Sequence, residues 1–494
     1  MNKNELFTVD ITDVGSDGEG IGKTEGFTWF IKDTIPGDVI EASVMKIKKN
    51  YGFARMVRII TPSPDRVESA CPIARSCGGC TLQAMSYEAQ LRFKQSKVFN
   101  NLTRLGGLNC VMVSGGADAE DGKIPVLETI GMDSPWRYRN KAQLPIGYDK
   151  NGRLVAGFYA GHSHNIIPQD DCLIGAEENE AITKCVLDFC TQKHISAYDE
   201  TRHEGLLRHI LLRKGYYTGE IMVCLVINGE SLPCADELVS RLREFDGMSS
   251  ISLNVNRERT NVILGSRLIN LYGPGYITDM IGELTFKINP LSFFQVNPVQ
   301  TAKLYAKALE YAALTGGENV WDLYCGIGTI SLFLAQKAGF VRGVEIIPEA
   351  IDNARDNAAM NGLENTQFYV GSAEDVVPEV FEKEHCHADV IVVDPPRKGC
   401  DEKLLETIVK MTPDRVVYVS CDSATLARDL KWMGAHGYQT VKAQPVDMFP
   451  HSGHVETVCL LSNTQRPKKE SYITLDVEME DYYRIKNEGK KSTT

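Results

Sequence analysis

The chain has 494 residues, 43% hydrophobic and 24% charged, with a formal charge of -12. At about 150 residues per domain this predicts two to four globular domains, and the composition excludes a disordered or fibrous chain. No apolar run approaches the roughly 18 to 20 residues of a bilayer span, MNKNELFTVD lacks a signal-peptide pattern, and net acidity argues against nonspecific wrapping of nucleic acid by the whole surface. A protein without membrane association, cytoplasmic and monomeric, is expected, and its 14 cysteines point to reduced thiols, a metal or catalysis rather than a disulfide framework.

Residues 1–62 alternate strand-like stretches (LFTVDITDV, FTWFIKD, DVIEASVMKI, YGFARMVRII) with turns such as SDGEGIG and IPGD, the spacing of a small barrel. Its last two strands gather Lys46, Lys48, Lys49, Arg55 and Arg58 around Tyr51 and Phe53, residue types that stack on and neutralise RNA, although solvated edge charges look similar. The pattern resembles a TRAM domain, an OB-like RNA-binding barrel. Residues 63–285 hold a cysteine-rich segment, an amphipathic helix over YEAQLRFKQSKVFNNLTRL and a Gly-rich stretch, SGGADAEDGK. Strands at GLLRHILLR, GEIMVCLVING, ISLNVN and NVILG, with a helix near 176–191, then suggest a central α+β substrate-binding domain. In 286–463 strands and helices alternate (VWDLY, TISLFLAQK, VRGVEI, AIDNARDNAAMNG, TQFYVG, ADVIVVD, RVVYVS, HVETVCLL), which implies an α/β domain with a doubly wound parallel sheet. Residues 464–494 form a charged tail with one amphipathic patch, SYITLDVEMEDYYRI.

In VWDLYCGIGTISLF, Gly326 and Gly328 sit in the turn between a buried strand and a helix, where a ligand can approach the backbone. Ser331 stands where a dinucleotide fingerprint needs Gly or Ala, which weakens the pyrophosphate reading. Glu345, ending the next strand, is placed to accept hydrogen bonds from both hydroxyls of a ribose. GSAED can flank an adenine, and Asp394 in VVDPPRKG ends the fourth strand. This ordered set resembles the class I (Rossmann-like) S-adenosylmethionine (SAM) methyltransferase fold.

Cys421 in SCDSATLARD lies between the apolar strand RVVYVS and a helix, and helix N-termini stabilise thiolates. Cys325, Cys386, Cys400 and Cys459 read as packing residues. Glu456 opens the strand VETVCLL with His451 and His454 close by, so an acid beside a thiol suggests proton removal, while the three groups read alternatively as metal ligands.

Together FFQVNP, DLYCGIGT, DPPRKG, SCDSATLARD and HVETV resemble the RNA uracil-C5 methyltransferases over most of the chain. The resemblance implies SAM contacts at Gln295, Tyr324, Glu345 and Asp394, a nucleophile at Cys421 and a base at Glu456. The chemistry needs such groups: uracil C5 is too weakly nucleophilic to take the methyl group until a thiolate adds to C6, and the C5 proton must leave before the thiolate is expelled.

CPIARSCGGC supplies Cys71, Cys77 and Cys80, three thiols in one loop, which suit zinc or an iron-sulfur cluster. Resemblance to the family's ribosomal RNA branch implies a [4Fe-4S] cluster completed by Cys172, in preference to zinc and to Cys110 or Cys185 as fourth ligand. It also makes 23S ribosomal RNA the expected substrate, with transfer RNA second. PWRYRNKAQ groups Trp136, Arg137, Tyr138, Arg139, Asn140 and Lys141, types suited to RNA contact or to a solvated basic strand. The remaining alternatives are a cytosine-C5 methyltransferase, which usually places its thiol after Pro where this chain has Arg397, and a noncatalytic RNA-binding assembly factor.

Overall fold

Five strands, β1 (Leu6–Val14), β2 (Gly20–Thr24), β3 (Phe27–Lys32), β4 (Val39–Ile47) and β5 (Tyr51–Thr61), close the N-terminal barrel in the order β1-β2-β3-β5-β4. The computed structural model describes residues 2–16, 18–115, 122–161, 163–384 and 387–465; most of the Gly-rich stretch, Cys386 and nearly all of the charged tail lie outside them. GIGKT, read from sequence as part of a turn, is the strand β2. Its glycines are required because the strands crowd there: a Cβ at Gly20 would fall 2.1 Å from Thr34 Oγ1 and one at Gly22 2.5 Å from Val9 Cγ2. Val9, Ile11, Trp29, Ile31 and Ile40 fill the interior, and Arg66 pairs with the buried Asp38 at 2.5 Å, fastening the barrel to the segment that follows.

Helix α1 (Tyr87–Arg104) follows, burying Val98 and Leu102 against the C-terminal domain. Short strands β6 (Cys110–Met112) and β7 (Ile124–Val126) then join the edge of the C-terminal sheet. The elements expected in the central stretch thus divide between two sheets. The second is built from β8 (Lys141–Tyr148), β9 (Leu154–Tyr159), β10 (Ile166–Pro168), β11 (Leu207–Lys214), β12 (Ile221–Ile227), β13 (Met248–Val255) and β14 (Arg267–Tyr272), in the order β10-β9-β8-β11-β12-β13-β14. Helices α2 (Glu178–Gln192) and α3 (Ala235–Leu242) contribute to its core. NVILG is not a strand. Asn256 Nδ2 donates to the carbonyls of Val262 and Ile263, and Asn254 Nδ2 to that of Gly265, so side chains take the bonds a ladder would have made.

A hairpin, β15 (Ile277–Ile281) and β16 (Leu284–Ile288), buries Ile277, Ile281 and Phe286 in the C-terminal core. Beyond it run α4 (Pro298–Ala312), β17 (Asn319–Leu323), α5 (Thr329–Ala335), β18 (Phe340–Glu345), α6 (Pro348–Met360) and β19 (Thr366–Val370). There follow α7 (Ala373–Glu384), β20 (Val390–Val393), α8 (Glu402–Met411), β21 (Arg415–Ser420), α9 (Ser423–Ala435), β22 (Tyr438–Val446) and β23 (Glu456–Asn463). The sheet order is β19-β18-β17-β20-β21-β23-β22-β7-β6, parallel from β19 to β21 and antiparallel where β23 meets β21 and β22. Its strands read as apolar runs because helices cover the sheet, as in VIVV of β20, which is buried throughout. Among the described residues no helix is long and apolar enough to cross a membrane.

Candidate active site

The chain order reverses at β17, which pairs with β18 on one side and β20 on the other. Such a switch point opens a crevice at the carboxyl ends of the strands. Glu345 ends β18 there. Its Oε2 accepts the Gly326 N–H at 3.2 Å and its Oε1 the Ile347 N–H at 3.1 Å, which leaves each oxygen a lone pair for a ribose hydroxyl. Asp322, near the end of β17, is fully buried and accepts from Ser331 Oγ at 2.5 Å, while its Oδ1 has no partner. Burial, with the Glu345 charge adding to it, pushes Asp322 up to about 7. Gly326 and Gly328 have φ of 55° and 82°, and a Cβ on Gly326 would meet nothing within 4 Å, so the turn faces open space. Tyr324, itself at φ 75°, donates its hydroxyl to Glu374 Oε1 at 3.0 Å, bringing the GSAED segment to the same end of the sheet. Gln295 is buried, its carbonyl held by Asn140 Nδ2 at 3.0 Å. A buried, half-satisfied carboxylate and an open glycine turn fit an adenosine-type ligand.

Cys421 and Glu456 come together by register. In the antiparallel pair of β21 and β23, Ser420 lies opposite Thr457, so the next residue on one strand faces the preceding residue on the other. Glu456 is 4% exposed. Burial, with the Asp394 charge next in weight, lifts its carboxyl well above the ordinary range; Asp394 is raised likewise by burial and by Asp322. Cys421 is pushed up to about 11, first by burial and then by the charges of Glu456 and Asp394, against the opposing Arg397 guanidinium. The expectation that the α9 N-terminus would stabilise the Cys421 thiolate is therefore not met. Asp422 occupies that N-terminus instead, accepting from Ala424 N–H at 2.8 Å and Thr425 N–H at 3.1 Å, and its carboxylate spends the helix donors. Cys421 and Arg397 open into a cavity of about 440 Å³ lined also by Asp13 to Ser16 of the barrel, Lys97 and Arg104 of α1, and His454.

The thiols of Cys71, Cys77, Cys80 and Cys172 each stand within electrostatic reach of others in the set, and burial pushes Cys80 up to about 11. Cys110 lies instead beside Thr103 and Cys459, and Cys185 beside Arg241 and Asp188. Among the described residues no three His, Cys, Asp or Glu side chains converge closely enough for a single metal ion.

A family description for tRNA (uracil-5-)-methyltransferases matches residues 277–464, and one for the TRAM domain matches residues 2–57. An uncharacterized RNA methyltransferase of Halalkalibacterium halodurans is 51% identical over 462 residues, covering 93% of this chain and 98% of its own, and one of Clostridium tetani is 49% identical over 470 residues, covering 95% and 99%. This chain belongs to the RNA uracil-C5 methyltransferase family. Among solved structures, the Pyrococcus abyssi tRNA (uracil-54, C5)-methyltransferase in complex with S-adenosyl-L-homocysteine is similar with a TM-score of 0.71 and 28% identity, covering 92% of this chain and 100% of that one.

Within PWRYRNKAQ, Trp136, Arg137, Tyr138 and Asn140 serve this methyltransferase as internal anchors. Arg137 pairs bidentately with Asp171 at 2.6 Å and donates to the Cys172 carbonyl. Trp136 stacks on His451 at 3.9 Å, the Tyr138 hydroxyl donates to the Pro450 carbonyl, and Asn140 holds Gln295. Basic and aromatic composition cannot distinguish such internal anchors from an RNA face. His451 is likewise a packing residue: burial depresses it to about 4, and Gln90 brackets its ring and backbone. On the barrel, Phe30, Tyr51 and Phe53 form a ring cluster with centroids 5.6 to 5.9 Å apart, beside the expected lysines. Sequence reading missed Arg397 as a charge partner of Cys421, though DPPRKG was in view, and missed Tyr305, whose hydroxyl meets Thr329 Oγ1 at 2.8 Å within electrostatic reach of Asp394 and Glu456.

Proposed function

We propose that this enzyme converts a uridine of RNA to 5-methyluridine through a covalent adduct between Cys421 and uracil C6. The register that sets Cys421 opposite Glu456 at the mouth of the crevice carries the proposal. Bound in the crevice, SAM would supply a methyl group on a sulfonium, with Glu345 on the ribose and Gln295, Tyr324 and Asp394 as further contacts. Cys421 gives its proton to solvent as RNA binds, its thiolate favoured by Arg397, and the sulfur forms the bond to C6 while electron density moves onto C5. After C5 is methylated, the Glu456 carboxylate takes the C5 proton, the electron pair re-forms the C5–C6 double bond and the Cys421 sulfur leaves. A carboxyl lifted toward neutrality is a stronger base than an ordinary glutamate. Uracil must leave any duplex to reach this cavity.

We further propose that Cys71, Cys77, Cys80 and Cys172 hold a [4Fe-4S] cluster and that 23S ribosomal RNA is the substrate. Transfer RNA is the second reading, favoured by the substrate named for the Pyrococcus abyssi relative. Nucleoside mass spectrometry after incubating anaerobically purified enzyme and SAM with unmodified ribosomal RNA or transfer RNA tests both: 5-methyluridine in ribosomal RNA alone is expected, product in transfer RNA alone overturns the substrate, and product in neither overturns the reaction. Glu456→Gln should leave a protein–RNA adduct stable to denaturing electrophoresis, and normal turnover without adduct would remove Glu456 from its role. Cys172→Ser should lose bound iron and visible absorbance; full iron content in that variant would displace it from the ligand set.

A further inference from the structure

Strands β11 and β12 are joined by the turn Lys214–Glu220, whose tip carries Tyr216 and Tyr217. These rings are 48% and 51% exposed, stand edge to face at 5.0 Å and 79°, and are not part of the barrel. The turn that presents them is rigidly held. Asp279, fully buried, spends its two oxygens on the Tyr216 and Tyr217 N–H groups, each at 2.9 Å; Thr218 Oγ1 donates to the Thr278 carbonyl at 2.6 Å, and Glu220 accepts from Thr278 N–H at 2.6 Å. Burying a carboxylate is costly unless it is hydrogen-bonded, and here the N–H groups of the turn supply those bonds.

The turn is also tied to the segment that carries Gln295. Lys214 N–H donates to the Asn140 carbonyl at 2.9 Å, and Asn140 in turn binds the carbonyls of Gln295 and Val296. Tyr216 is two residues beyond Lys214, so its backbone lies about 7 Å farther along the chain at most.

We infer that the Tyr216–Tyr217 turn is a stacking platform for an unpaired base of the substrate RNA. An exposed ring face takes any base, and a pre-ordered turn loses little entropy on binding. The inference rests on the RNA-substrate reading and is indifferent to which RNA is methylated.

The test is filter binding of a 20-nucleotide oligouridylate to wild type, to the double variant Tyr216→Ala/Tyr217→Ala and to Tyr216→Phe/Tyr217→Phe, with SAM affinity measured in parallel. The alanine variant should bind about ten-fold more weakly, the phenylalanine variant like wild type, and SAM affinity should be equal in all three. Equal RNA binding by wild type and the alanine variant overturns the platform, as does equal loss in both variants, which would assign the contact to the hydroxyls. Wild type that binds no oligouridylate overturns it together with the RNA reading. A further arm uses wild type alone: 4-thiouridine in the same oligonucleotide should photo-crosslink to the peptide containing Tyr216 and Tyr217, and crosslinking only elsewhere refutes the inference.

Discussion

The resting state of Cys421 can be tested directly. With its thiol pushed up from 9.0 to about 11, roughly one molecule in three thousand carries a thiolate at pH 7.5, against about one in thirty for the unperturbed thiol. Iodoacetamide should therefore alkylate Cys421 roughly 100-fold more slowly than an unperturbed cysteine. Between about pH 7 and pH 10 its rate should rise close to ten-fold per unit with no plateau. Glu456→Gln removes one of the two carboxylates whose charge raises the thiol. Glu456 exerts that charge only when ionised, which is the case in the alkaline range where Cys421 titrates. The variant thiol should therefore ionise about one unit lower and react about ten-fold faster at a given pH. Arg397→Ala works in the opposite sense, because it removes the cation that lowers the thiol. Rates read from peptide mass mapping distinguish Cys421 from the other cysteines. A plateau below about pH 9 in wild type, or no difference between wild type and Glu456→Gln, would refute the electrostatic account.

Two further outcomes follow from the scaffold and the crevice. Glu345→Gln should weaken SAM binding by about 30-fold in calorimetry, because a charged acceptor of the ribose is lost; unchanged affinity would remove Glu345 from the ribose. Lys94 and Asp447 form an ion pair with both side chains 0% exposed, so Lys94→Met, which strands a buried carboxylate, should cost about 3 to 5 kcal/mol and lower Tm by several degrees. A loss under about 1 kcal/mol in denaturant melts would show that the pair is not closed in solution.

The sheet and its crevice were legible because βα alternation is written in period and composition: Glu345 and Asp394 stand at strand ends in the sequence as they do in the structure. The barrel was legible except for β2, whose small residues look like a turn when the crowding that demands them comes from Thr34 and Val9. The facing of Cys421 and Glu456 was not legible from spacing, since they lie 35 positions apart along the chain and only the antiparallel register of β21 and β23 joins them. The electrostatic state of Cys421 misled for a similar reason. A helix start is a local signal, but the Asp422 side chain that consumes its donors, and the carboxylates that oppose the thiolate, act through space. PWRYRNKAQ shows the limit of composition, because Arg137 is satisfied by Asp171, which is 34 residues away.

The proposed base, Glu456, is held by contacts distant from the substrate. The segment from Asp447 to Glu456 is fastened to α1 along its length: Tyr87 and Lys94 on Asp447, Lys94 on the Phe449 carbonyl, Gln90 on His451, and Lys97 Nζ on the Gly453 carbonyl at 2.8 Å. Gln90 also donates to the Leu82 and Met85 carbonyls, and Leu82 N–H donates to the His451 carbonyl at 2.9 Å, so the chain just after Cys80 is tied to the same loop. Gln90 is therefore a positioning residue. In Gln90→Leu the His451 N–H loses its acceptor at 2.9 Å and the loop gains freedom five residues before Glu456. Misplacing a general base slows proton removal and leaves the earlier bond formation intact. The variant should lower kcat about ten-fold or more with KM for RNA within two-fold, and should accumulate the same denaturation-stable adduct expected of Glu456→Gln. A purely structural role would lower Tm without adduct, and that result would detach α1 from the chemistry.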